Sequence, residues 1–133
     1  MKNNTIILSF GLSGSRRSKK WIDEPIQNRE IEKAKEFIVD AKFKKLKKIS
    51  NHSSTSYGLK HLAEEYLRLK YSNTKNKHRH DFYITNGAFI EAMRQLGYKY
   101  KRVDNGSPNA IFNISVIEIR KLQENIYIHK KIS

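Results

Sequence analysis

The sequence predicts an α+β fold, mostly α-helical with a C-terminal β-hairpin, in the element order of a winged helix-turn-helix. Apolar residues recur at helical spacing over three successive segments. An Asn-Gly turn between aromatic and β-branched flanks follows the third of them. The 133 residues make one ordinary domain rather than two.

Residues 1–20 read as a poorly ordered arm or short strand, with Ile6, Ile7, Leu8 and Phe10 running into a Gly/Ser-rich loop that carries Arg16, Arg17, Lys19 and Lys20. Residues 21–133 read as a single helical, winged-helix domain. Pro25 can only precede or open a helix, and Ile31, Ala34, Phe37, Ile38 and Ala41 set a helical stripe from about Asn28. Past Ala41 the stripe drifts to Val39, Phe43 and Leu46, so the stretch to Lys48 is either one long helix or two shorter ones. Its Lys42, Lys44, Lys45, Lys47 and Lys48 follow Glu30, Glu32 and Glu36. They read equally as phosphate contacts and as a complement to the helix dipole, with Glu32–Lys35 and Asp40–Lys44 at pairing distance.

The polar break Ser50–Ser56 leads into the best amphipathic match, Leu59, Leu62, Ala63, Tyr66 and Leu67. Lys60, His61, Glu64, Glu65 and Arg68 then form a mixed-charge outer face. From Ser72 to Asp81 the chain is a basic surface loop. Thr85 or Asn86 caps a helix to Leu96 with Phe89, Ile90, Ala92, Met93 and Leu96 inward, and Gly97 ends it in a left-handed cap. Tyr98–Val103 and Asn109–Ile114 flank the turn at Asn105-Gly106, and Ser115 caps a closing helix through Ile117, Leu122 and Ile126.

Lys plus Arg number 27 against 13 Asp plus Glu, a net charge of +14, and such an excess calls for an anionic partner. Zero cysteines remove disulfide scaffolds, thiolate metal sites and cysteine nucleophiles, which fits a reducing compartment. No apolar run approaches the roughly 20 residues that cross a bilayer, so the expectation is a cytoplasmic protein without a membrane partner.

The helix before the hairpin is the expected major-groove element, and the hairpin the grip on the flanking backbone of double-stranded DNA. Burying the apolar stripe of helix 86–96 turns Gly87, Ala88, Glu91, Arg94 and Gln95 outward. Arg94 and Gln95 are then candidate base readers, and Glu91 can only accept from a cytosine amino group. Lys99, Lys101, Arg102, Asn105 and Asn109 on the hairpin suit phosphate and sugar contacts, joined by Lys75, Lys77 and Arg79 of the basic loop. The roles this implies are repressor, origin-binding factor or replication accessory. The alternatives are a non-catalytic inhibitor of a host protein and an RNA binder stacking bases on Tyr98 and Tyr100. A homodimer would multiply affinity for paired half-sites, with Ile6–Phe10 and Phe37–Leu46 as candidate seams. His78-Arg79-His80-Asp81 offers two histidines and a carboxylate, but two ligands in a loop fix no metal geometry. No metal, cofactor or catalytic residue is therefore expected, and the chain does not read as an enzyme.

Segments 54–61 (STSYGLKH), 83–92 (YITNGAFIEA), Gly97-Tyr98 and 107–115 (SPNAIFNIS) resemble small proteins carried by phages, plasmids and other mobile elements. The resemblance runs from His52 to Ser115. It implies a mobile-element origin, a bacterial host cell and a shared fold, and it transfers no catalytic residue. Residues 73–80 look like an insertion relative to that pattern, and the first fifty residues fall outside it.

Overall fold

In the computed structural model, residues 5–14, 24–72 and 82–132 are described. Helix α1 covers Asn28–Ala41 and turns Ile31, Ala34, Phe37 and Ile38 inward. It stops because Lys42 takes a left-handed backbone (φ 57°), its N–H returning to the Ile38 carbonyl. The lysine run is therefore neither a continuation of the helix nor a second one, and no basic residue stands in the last turn of α1. Helix α2 covers Ser56–Lys70, capped by Thr55, whose hydroxyl accepts from Gly58 N. Helix α3 covers Asn86–Gln95, capped in the same way by Thr85 accepting from Ala88 N at 3.2 Å. Gly97 follows in a left-handed conformation (φ 90°).

Two antiparallel hairpins complete the α+β fold. The first joins β1, Ile7–Leu8, to β2, Gly11–Leu12. The second joins β3, Tyr100–Arg102, to β4, Ala110–Phe112, with Tyr100 opposite Phe112 and Arg102 opposite Ala110. Its turn is longer than a two-residue Asn-Gly turn: Val103 N donates to Asn109 O, and Gly106 supplies a positive φ of 84° inside that loop. This hairpin is internal rather than C-terminal, because helix α4, Val116–Ile132, follows it. Ser115 caps α4 through Glu118 N, and the helix buries Ile119 and Ile126 while leaving Ile117 outside, contrary to the expected stripe.

The core gathers around α3. Seven of its ten residues are buried, and Phe89 lies between Phe37 of α1 and Phe112 of β4, at centroid distances of 6.3 and 6.0 Å. A helix enclosed to this degree is the hub of the domain. Its amino end is covered by the first hairpin: Gly87 N donates to Ser9 O at 3.0 Å, and Leu12 is 2% exposed. Residues 5–14 are thus an integral part of the packing and not a loose arm. Of the candidate seam from Phe37 to Leu46, Phe37 and Ile38 are buried inside the chain, whereas Val39 and Leu46 are exposed. Among the described residues no helix is long and apolar enough to cross a membrane.

Candidate nucleic-acid interface

Helix α3 presents little of itself to solvent. Gly87 and Ala88, expected outward, are buried, and Glu91 closes over the last turn. The Arg94 guanidinium donates to both carboxylate oxygens of Glu91, at 2.8 and 2.7 Å, and Gln95 Nε2 donates to it at 2.7 Å. These bonds from Arg94 hold the Glu91 carboxyl below the usual carboxylate range. Both candidate base readers are exposed, and each is hydrogen-bonded to the acid one turn before it.

The hairpin candidates divide in two. Arg102 is half-buried and donates to the carbonyls of Ser107 and Ser13, which clamps the two hairpins together. Asn109 Oδ1 accepts from Asn86 Nδ2 at 2.9 Å, so this side chain also serves the fold. Asn105 is exposed in the connecting loop. Lys99 and Lys101 are exposed and, two residues apart on an extended strand, point to the same side. Lys75, Lys77 and Arg79, with the His78-x-His80 pair, lie outside the described residues.

Beside Lys99 runs the segment that follows α1. Leu46 N donates to Asn113 O at 2.8 Å and Asn113 Nδ2 returns to Leu46 O at 2.8 Å, so residues 43–48 lie along the edge next to β4. Tyr98 Oη donates to Phe43 O at 2.6 Å, and Lys45 Nζ lies 5.1 Å from the Tyr98 ring centroid. Lys99 Nζ reaches Lys47 O at 3.5 Å. Lys42, Lys44, Lys45, Lys47, Lys48, Lys99 and Lys101 are all exposed. Among the described residues none of these seven has an ion-pair partner. The described pairs are made by Lys35, Lys60, His61, Arg68, Lys70, Arg94 and Lys130.

Compared with family models, curated proteins and solved structures, the chain matches none.

The acids explain why the lysine face stays uncompensated. Lys70 of α2 bridges Glu36 and Asp40 of α1 at 2.7 and 2.6 Å, in place of the expected Asp40–Lys44 pair. Glu30 accepts from Thr85 N and Glu64 from Ile84 N, each at the chain leading into α3. Glu118, the acid next to the lysine segment, binds the backbone N–H of Lys44. The carboxylates tie helices and loops to one another, and the cationic surplus is left at the edge of the second hairpin. Sequence reading recognised the lysine run but assigned it to a helix. The signal against that assignment is the loss of apolar periodicity immediately after Ala41.

Proposed function

We propose that the chain binds double-stranded DNA through its phosphate backbone, using the lysine face formed by residues 42–48 and by Lys99 and Lys101. The observation that carries this reading is seven exposed lysines on two adjoining segments, none in an ion pair with a carboxylate among the described residues. Lysines of that kind act as point charges towards phosphates and release counterions when they bind. The order α1, extended segment, α2, α3, β3, β4, with residues 43–48 beside β4, favours a winged helix-turn-helix arrangement. Groove insertion of α3 is not part of the proposal, since its amino half lies under the first hairpin and Glu91 holds Arg94 and Gln95 of its last turn in hydrogen bonds. Binding should accordingly depend weakly on base sequence and steeply on salt.

Fluorescence anisotropy with mixed-sequence duplexes over a salt series tests this. About six neutralised phosphates give a slope near −5 in log affinity against log salt, and Lys45→Gln, Lys47→Gln and Lys99→Gln together make it shallower by about 3. No complex at low salt, or a slope indifferent to the triple substitution, overturns the proposal. Tighter binding to single-stranded RNA than to duplex replaces it with an RNA-binding reading.

A further inference from the structure

The amino-terminal ends of α1, α2 and α3 meet around a cleft of about 870 Å3 that the lysine face does not use. Gln27 and Glu30 line it from α1 and the residue before it, Tyr57 and Lys60 from α2, and Tyr83 and Asn86 from the entry to α3. Its size falls within the several hundred to about 1,000 Å3 typical of small-ligand sites. Pro108 and Asn109 add a wall, so three segments singled out in the sequence, 54–61, 83–92 and 107–115, converge here.

Lys60 is 5% exposed and was expected on the solvated face of α2. Its Nζ contacts Glu64 Oε2 at 3.4 Å and stands 5.4 and 4.8 Å from the ring centroids of Tyr57 and Tyr83. Tyr57 and Tyr83 are each 51% exposed at the mouth of the cleft, and the Tyr57 ring also meets His61 in a T-shaped contact at 4.5 Å. Burial and the nearby carboxylates of Glu30 and Glu64 push the Tyr83 phenol up, which keeps it a neutral donor. In the floor, Asn86 Nδ2 donates to Phe10 O, Pro108 O and Asn109 Oδ1, while the buried Asn86 Oδ1 has no partner among the described residues.

Charge selects the ligand. A full anion would meet the carboxylates of Glu24 and Glu30 in the lining, and a full cation beside the tyrosines would meet the Lys60 ammonium that already stands against both rings. What remains is a neutral, flat group that carries donors and acceptors on its edge and a π face for the tyrosines. We infer that the cleft between Tyr57, Lys60, Tyr83 and Asn86 is a binding site for a nucleobase. The base lies against the tyrosine rings with its edge towards the polar lining of the cleft at Gln27, Glu30 and Lys60. The same chemistry comes from a free nucleoside or from an unpaired base in a strand.

Calorimetric titration of the full chain with adenosine, guanosine, cytidine and thymidine, and separately with homo-tetranucleotides of the same bases, distinguishes the two sources. Saturable binding of at least one nucleoside is expected, weakened about tenfold or more by Tyr83→Leu or Tyr57→Leu. These rings are half exposed, and circular dichroism verifies that the variants fold. Binding by a tetranucleotide alone, with the same tyrosine dependence, assigns the site to a base within a strand. The Lys45/Lys47/Lys99→Gln triple variant should leave nucleoside binding unchanged, since nucleosides carry no phosphate, so failure of the duplex proposal and of this one are read separately. Absence of saturation by all nucleosides and tetranucleotides, or binding indifferent to both tyrosine substitutions, overturns the inference.

Discussion

Replacing Gly87 by alanine should be among the most damaging single-methyl changes in this protein. A Cβ at that position would stand 1.7 Å from Leu8 O and 2.7 Å from Leu8 C, both backbone atoms that no rotamer change can move aside. Relief requires the first hairpin to lift from α3. That breaks the Gly87 N–Ser9 O bond, the Asn86 Nδ2–Phe10 O bond and the Leu12 N–Pro108 O bond. At about 1 kcal/mol net for each hydrogen bond and about 2 kcal/mol for exposing Leu12, the loss is about 5 kcal/mol. The better helix propensity of alanine returns about 1 kcal/mol, which leaves a net destabilisation near 4 kcal/mol. Urea unfolding followed by far-ultraviolet circular dichroism measures it, with limited proteolysis reporting release of residues 5–14. Gly58→Ala is the control: its Cβ would meet nothing nearer than Thr55 Oγ1 at 3.9 Å, so it should be neutral or stabilising by up to about 1 kcal/mol. A Gly87→Ala protein with an unchanged or raised midpoint would refute the hairpin-on-helix contact.

Arg94→Ala should change duplex affinity less than twofold, because Glu91 already holds the guanidinium; a loss of tenfold or more in an anisotropy titration would return α3 to the interface. Ser56→Ala should cost about 1–3 kcal/mol in urea unfolding, since the buried Ser56 Oγ accepts from Ala110 N at 3.0 Å and its removal orphans a buried N–H. Asp40 is held below its ordinary range by hydrogen bonds from Lys70 and Tyr66. Its contribution to stability is therefore complete above the unfolded carboxyl pKa near 3.8 and disappears as pH falls through the lower folded value. Unfolding free energy should decline below about pH 4, and Asp40→Asn should flatten that decline in acid-titrated melts. An identical acid profile in the variant would show that the Lys70 bridge contributes nothing measurable.

The extents of the helices were legible from apolar spacing and capping residues. Asn86–Gln95 differs by a single residue from the stretch expected from Thr85 and Gly97, and Ser115 caps α4 as anticipated. Periodicity assigns an inward stripe and treats every other position as solvated, which is why it failed for helices enclosed on several sides. Lys60 and Glu64 read as surface charges because nothing local announces that Tyr83 and the Ile84 N–H will cover them. Gly87 and Ala88 read as outward because their cover comes from residues nearly 80 positions earlier in the chain. Similarly, the candidate interface moved from α3 to residues 42–48 because a left-handed Lys42, with no glycine to mark it, ends α1 early. Charge counting identified the surplus, but only the pairing of carboxylates in space shows which lysines remain available.

Arg102 and Asn86 together bind the start of the chain to its later half, through Ser13 O and Phe10 O. During synthesis from the amino end, residues 5–14 emerge well before their partners, which are translated only after α1 and α2. Such distant closure raises the contact order and delays the step that seals the core. Until then the nascent chain carries Leu12 and the apolar face of α1 uncovered, so the interval most exposed to proteases and chaperones lasts until residues 86–108 have been made.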